Sequence, residues 1–434
     1  MSGNYKTYDP DQLFLLPPSL KEWLPEGHLA YFVSDVVDEL DLGEIEKTYS
    51  TKLQGQPPYH PAMLVKLLFY AYCMGIPSSR KIEKETHEDI AFRILAAGYH
   101  PDHDTIADFR KNHLGALKSL FLQILILCKE AKLVKLGHVS LDGTKIKANA
   151  SKHKAMSYGR MNEKEKELER EVNELLRKAE SVDAEEDKRY GKGIRGDELP
   201  EELKFREKRL ARIREAKKAL ENRVANEAEP SQKEKQPKPK DQINFTDPES
   251  RIMKDSSTKE FMQGYNAQAA VDATSQVIVA AEVTIQSNDK KQLEPMLAEV
   301  EENCNALPKE LSADAGYYSE ENIAHAQAKG IHALVPPGNT RHTDTQPAPP
   351  RGRIPKHLSI KERMERLLRT RKGKKAYAKR KETVEPVFGQ IKAVRGFRQF
   401  LLRGLDSVKA EWQLICLTHN LLKLYRWKLA QAPA

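Results

Sequence analysis

HVSLDGTKIKANA, residues 138–150, is the stretch on which the fold turns. Before it, apolar residues recur at helical spacing; within it, β-formers alternate with polar residues, the period of a strand. Asp142 sits in the middle of this run, where an aspartate is disfavoured unless a partner compensates it. Asp142 before Gly143 also has a plainer reading as a turn, since Asp-Gly is a strong hairpin signal.

Upstream, residues 1–136 read as helical. PAMLVKLLFYAYCMG carries Leu64, Leu67, Leu68 and Ala71 at helical spacing, and RKIEKETHEDIAFRILAAG predicts a second helix capped by Ser78 or Ser79 and ended at Gly98. In HDTIADFRKNHLGALKSLFLQILILCKEAKL the expected N-cap is Asp104, with Ile106, Phe109, Leu117, Leu120, Ile124 and Leu127 as the buried stripe. Exposed Arg80, Lys81, Arg110 and Lys111 suit a helical bundle that docks on DNA, although simple packing helices would show the same stripe. His100 and His103 in YHPDHDT read as part of a Pro-rich loop rather than a metal site.

Downstream, GYNAQAAVDATSQVIVAAEVT predicts a β-hairpin turning between Asp272 and Gln276. Asp289 is then expected to cap a helix carrying Leu293, Met296, Leu297 and Val300. ELSADAG is a short strand, followed by a helix from Ser319 to Gly330 and the strand IHALVPP. A Pro/Gly/Thr-rich loop (337–359) leads into basic helices. Three strands, helix, strand, helix, strand describe a mixed α/β sheet, an antiparallel meander continued by parallel crossovers.

Between the first strand and the hairpin, residues 161–240 hold 43 charged residues in 80 and two aromatics. Leu168, Val172, Leu175, Ala179 and Val182 alternate spacings of four and three; Leu203, Leu210, Ile213, Leu220 and Val224 do so less completely, with Lys217 on the seam. The pattern predicts a charged coiled-coil hairpin turning at YGKGIRGDELP and leaving through the polar linker SQKEKQPKPKDQ. Such a hairpin suits a dimerisation arm, a DNA clamp or a solvated insertion.

The 434 residues suffice for two or three domains. Net charge is +9, but residues 351–410 alone carry 19 Lys/Arg against 5 Asp/Glu, so the remainder is slightly acidic. A basic block of that density, with aromatic and apolar residues interleaved, suits a polyanion partner. Four dispersed cysteines argue against a disulfide framework or a thiolate zinc site. The polar start has no signal-peptide pattern, and the longest apolar run is about half of the ~20 residues of a membrane span. These features predict a soluble cytoplasmic protein with no membrane partner.

Three acids stand out by position: Asp142 in the first strand, Asp314 at the end of ELSADAG beside Gly316, and Glu385 near the start of an expected helix, VEPVFGQIKAV, in the basic block. Lys392, seven residues later, shares that helical face. Carboxylates gathered from strand ends and a helix form a hard-oxygen donor set for two Mg2+ (or Mn2+) ions, which clamp the oxygens of a phosphodiester exchange.

Asp142 in LDGTKIKANAS, Asp314 in SADAGYYSEEN and Glu385 in KRKETVEPVFGQIKAVRGFRQFLLRG resemble the catalytic acids of DDE transposases from bacterial insertion sequences, most closely the insertion sequence 1182 group. The resemblance extends to GQPPYHPAMLVKLLFYAYC, ESRIMK, GYNAQAAVD and EWQLICLTHNLLKL, spanning essentially the whole chain. It implies an N-terminal helical DNA-binding and assembly domain (1–136), an RNase H-like catalytic core (137–160 and 241–428) and the insertion (161–240). It further implies metal-dependent cleavage at transposon ends, strand transfer into target DNA, double-stranded DNA as partner, a homodimer in the synaptic complex, and association with the bacterial nucleoid. Relatives carry Tyr, Arg, Glu and Lys at set intervals around the third acid, with Arg four residues before Glu. Lys381 holds that position here and Arg380 precedes it; Tyr377 fits loosely, and Glu382 rivals Glu385 as third acid. Arg380, Lys381, Lys392, Arg395, Arg398 and Arg403 are the expected DNA contacts. The alternatives are a metal-dependent nuclease without strand transfer and a catalytically inactive DNA-binding protein.

Overall fold

The computed structural model describes residues 19–49, 57–190, 201–226, 236–255, 259–338 and 350–431, apart from positions 351, 353, 354 and 356. The expected turn at YGKGIRGDELP, much of the linker after it and most of the loop at 337–359 lie outside the described residues.

The N-terminal region is helical: α1 (Leu29–Glu39), α2 (Gly43–Glu46), α3 (Pro61–Cys73), α4 (Ser79–Glu88), α5 (Ile90–Leu95), α6 (His103–Asn112) and α7 (Leu114–Glu130). The stretch expected to be one helix after Ser78 is two. Asp89 is extended there and turns its carboxylate onto the Phe92 amide, starting α5 at the point where α4 ends. Asp102, not Asp104, caps α6 by accepting from Thr105 N at 2.7 Å. Arg110 is buried rather than exposed, donating to the Tyr72 hydroxyl and the Pro77 carbonyl.

The sheet comprises β1 (His138–Lys147) and, beyond a small ribbon formed by β2 (Ala155–Ser157) and β3 (Gln242–Asn244), the strands β4 (Arg251–Lys254), β5 (Phe261–Asp272), β6 (Ile278–Thr284), β7 (Glu310–Ala313) and β8 (His332–Leu334). β1 runs antiparallel to β5 and parallel to β7, which pairs in parallel with β8. β4 and β6 share the outer edge of β5, one after the other. The hairpin and crossover pattern expected from the sequence is therefore present, and β1 lies between its two halves. Asp142 and Gly143 are both in continuous register with β5, so no turn forms there.

α8 (Tyr158–Tyr190) and α9 (Glu201–Asn226) leave from the ribbon. They run antiparallel: Glu171 meets Arg206, while Glu165 meets Arg214 and Lys217. Met161, Leu168, Leu210, Ile213 and Leu220 close with Ile243 into a small core of their own. Lys217, on the seam, escapes burial of its charge by pairing with Glu165 beside the Tyr158 ring.

α10 (Leu293–Cys304) and α11 (Glu320–Ala328) belong to the crossovers; α12 (Ile360–Arg369), α13 (Arg371–Gly389) and α14 (Leu405–Gln431) complete the chain. α13 packs on β1, β5 and β7, whereas α14 lies between β6 and the helices α3 and α7. One continuous apolar core therefore joins the N-terminal helices to the sheet. Trp412 is its largest member and donates from Nε1 to the Gln268 carbonyl, whereas Trp427 is 37% exposed. The four cysteines are buried and free. Among the described residues no helix is long and apolar enough to cross a membrane.

Candidate active site

Parallel pairing of β1 with β7 sets Leu141 beside Ala313, so Asp142, in the middle of β1, and Asp314, just past the end of β7, follow side by side. Asp314 opens a short turn, accepting from Gly316 N at 2.8 Å. Over them runs α13. Arg380 donates through one terminal nitrogen to Asp142 Oδ2 at 2.8 Å and through the other to Glu385 Oε1 at 3.0 Å. Arg380 and Asp142 are about 15% exposed and Glu385 45%, so the clasp runs from a nearly closed floor to an open rim. Tyr377 lies against the same guanidinium.

Burial pushes the Asp142 carboxyl up to about 7; Arg380 opposes the shift and Asp314 adds to it. Asp314 is raised by burial too, and by Asp289. The Arg380 guanidinium is held more firmly protonated: burial works against its charge, but Asp142, Tyr377 and Glu385 outweigh it.

Asp289 does not cap the helix after it. α10 begins only at Leu293, and the Asp289 carboxylate turns back to the sheet, where Oδ1 accepts from Asn266 Nδ2 at 2.6 Å and Gln268 Nε2 at 2.7 Å. Lys145 Nζ stands 3.7 Å away. Sequence reasoning missed this because a cap is the commonest use of an acid before a helix; the distant amides on β5 that hold it have no local signature.

Glu385 is not at a helix start but fifteen residues into α13, one before Pro386. The proline leaves the Glu382 carbonyl without its helical donor, and Gln276 Nε2 from the β5–β6 turn donates to it at 2.8 Å. Glu382 lines a cleft with Lys135, His138, Thr274 and Lys379. The helix passes into a π-helical turn at Gln390–Val394, which carries Lys392. Its ammonium reaches Thr144 Oγ1 and the Lys145 carbonyl, both at 3.1 Å.

The other cations divide. Lys381 is exposed; so are Arg398 and Arg403, which donate to the carbonyls of Lys392 and Asn149. Arg395 is buried and holds the carbonyls of Tyr72 and Ile415, its guanidinium stacked on Phe397, so it faces the core rather than a DNA backbone.

The acids are hard oxygen donors of the kind that take Mg2+ or Mn2+, and Arg380 stands between Asp142 and Glu385 as a cation does between carboxylates. Arg380 engages Asp142 and Glu385, while the Asp314 carboxylate accepts from the Gly316 amide. Among the described residues no three His, Cys, Asp or Glu side chains converge closely enough to hold a metal.

Two family models match the chain: a transposase domain (DUF772) over residues 18–112 and a transposase DDE domain over residues 229–421. Together they cover about two thirds of it. No curated protein and no solved structure matches. The chain belongs to the DDE transposases of insertion sequences. Asp314 and Glu385 fall inside the DDE match and Asp142 before it, in the stretch between the two.

Proposed function

We propose that this transposase cuts DNA at transposon ends and joins the freed 3′-hydroxyl to target DNA, with Asp142, Asp314 and Glu385 as the catalytic acids. The observation that carries the reading is the placement of Asp142, on β1, next to Asp314, at the end of the parallel strand β7, beneath the Arg380–Glu385 clasp. Two divalent ions, Mg2+ or Mn2+, held when bound by the three carboxylates, supply the charge that clamps attacking and leaving oxygens.

The protein's own groups do the rest. Arg380 keeps buried Asp142 compensated until substrate arrives, then offers its fork to a phosphate, a geometry a guanidinium suits better than an ammonium. Lys392 holds β1 at Thr144, fixing the strand that bears Asp142. Exposed Lys381, Arg398 and Arg403 line the approach and position the DNA backbone. Arg395, buried, is left out of that set. The strand order β6-β5-β1-β7-β8 supports an RNase H-like core over 137–160 and 241–428, with 1–136 as the helical domain. The antiparallel pair at 161–240 supports a coiled-coil arm, and pairing of two transposon ends calls for a homodimer acting on double-stranded DNA at the bacterial nucleoid. Membership of the insertion sequence 1182 group rests on the sequence motifs.

The experiment is a strand-transfer assay on labelled end DNA with Mg2+, comparing the parent with Asp142→Asn. Joined product in the parent alone, with DNA binding equal in both, supports the reading. Cleavage without joining points to a nuclease, and binding without metal-dependent cleavage to an inactive binder.

A further inference from the structure

We infer that Asp289 is a positioning residue of the same site: a fourth carboxylate that steadies a divalent cation held by Asp142 and Asp314 through that cation's hydration shell. The inference rests on the transposase reading above and extends it to a residue outside the catalytic three.

In the pleat of β1, Gly143 and Lys145 alternate with Asp142 and Thr144 and so face the opposite side of the sheet. Their register partners on β5 are Gln268 and Asn266, the two amides that hold Asp289. Asp289 therefore reaches the end of β7 from the reverse side of the sheet, with Oδ1 fully committed to Asn266, Gln268 and Lys145. The other oxygen, Oδ2, is directed at the turn that carries Asp314: a Cβ on Gly316 would stand 3.4 Å from it and 3.0 Å from Asp314 Oδ1.

Two glycines keep this space open. A side chain at Gly143 would meet Gln268 and come within 2.8 Å of Asp289 Oδ1, and one at Gly316 would part Asp289 from Asp314. The holding network continues inward, since the buried Tyr317 hydroxyl donates to Gln268 Oε1 and so fixes which way the Gln268 amide faces. Asn266 Oδ1, fully buried at the same place, has no hydrogen-bond partner. A carboxylate held this firmly by one oxygen, with the other aimed at a neighbouring acid, is arranged like the outer partners that orient metal ligands. A helix cap or a lone surface ion pair needs neither the amides nor the glycines.

Asp289→Asn isolates the role, because the Asn oxygen can still accept from Asn266 and Gln268 while Oδ2 becomes an amino group. Mn2+ binding to the metal-free full chain, read from the paramagnetic resonance of the free ion, is compared in the parent, Asp142→Asn and Asp289→Asn. Asp289→Asn is expected to keep the parent's melting temperature and DNA affinity, to bind Mn2+ about 10- to 100-fold more weakly, and to regain cleavage when Mn2+ is raised in proportion. Parent-like Mn2+ affinity in Asp289→Asn, with Asp142→Asn impaired, overturns the inference and leaves the transposase reading standing. An unimpaired Asp142→Asn overturns both. Should Asp289→Asn not fold, Asn266→Ser decides in its place: it releases one amide from Asp289, and it must lower Mn2+ affinity for the inference to survive.

Discussion

A guanidinium carries two terminal nitrogens, and Arg380 spends them on different carboxylates, Asp142 at 2.8 Å and Glu385 at 3.0 Å. Sequence spacing left Arg380 and Lys381 open for this place, because one residue on a helix is a turn of about 100° and the relevant face is set by what the helix packs on. Arg380→Lys keeps the charge but cannot span both acids; joining is expected to fall about tenfold or more, the ~1.4 kcal/mol of one charge-assisted hydrogen bond. Lys381→Ala is expected to change only DNA affinity, read by titration of end DNA. Equal losses of joining in the two variants would contradict the assignment. A second residue makes a prediction about pH. Glu299 on α10 accepts from Ala281 N, and burial, then Glu282, pushes its carboxyl up to about 7. The folded protein keeps a proton that the unfolded chain loses from about pH 4.5 upward, so stability falls as pH rises from there to about 7. Glu299→Gln should therefore stabilise by about 1–3 kcal/mol at pH 8 and hardly at all at pH 4, measured by urea unfolding. An equal gain at both pH values would exclude this cause. Of the residues at the site, Asp142, Asp314 and Glu385 were legible as acids in unusual places. Asp289 was not, since its role depends on Asn266 and Gln268, about twenty residues earlier on β5.

At the scale of elements, Pro386 sits inside α13 at the cost of one helical hydrogen bond, and the β5–β6 turn covers the loss through Gln276. The other end of that amide accepts from Lys423 of α14 at 2.6 Å, so a single turn residue links two helices to the sheet. Gln276→Ala should cost about 0.5–1 kcal/mol by urea denaturation, because it removes the donor to the Glu382 carbonyl. In a Pro386→Ala background, where the restored amide can serve that carbonyl, the same change should cost clearly less. Additive losses in the two backgrounds would deny the link. β1, β5, β6, β7 and β8 were readable from β-formers and turn residues, whereas the short strands β2, β3 and β4 were not. The interior of α13 was not. A Pro reads locally as a helix start, and only tertiary packing on β1, β5 and β7 carries the helix through it. The split at Asp89 was missed for the converse reason, a cap hidden inside an apolar period.

At the scale of the whole molecule, the basic helices, the acids and the N-terminal helices are held in one frame. α14 packs on β6, α3 and α7, and Arg395 ties the turn after α13 to the Tyr72 carbonyl. The density of positive charge in residues 351–410 announced a polyanion partner, but not that part of it, Arg395, would be spent inside. Exposure cannot be read from composition, because a guanidinium can satisfy its donors on carbonyls as well as on phosphates. The α8–α9 arm keeps its own small core apart from this frame. The account stands most directly on which carboxylates the reaction uses. Its decisive measurement is joined-product yield from labelled end DNA with Mg2+ for Asp142→Asn, Asp314→Asn, Glu385→Gln and Glu382→Gln beside the parent. Loss of at least about 100-fold in the first three, with DNA binding kept and Glu382→Gln close to the parent, is the predicted result. Joining that survives any of the first three, or fails in Glu382→Gln alone, would contradict it.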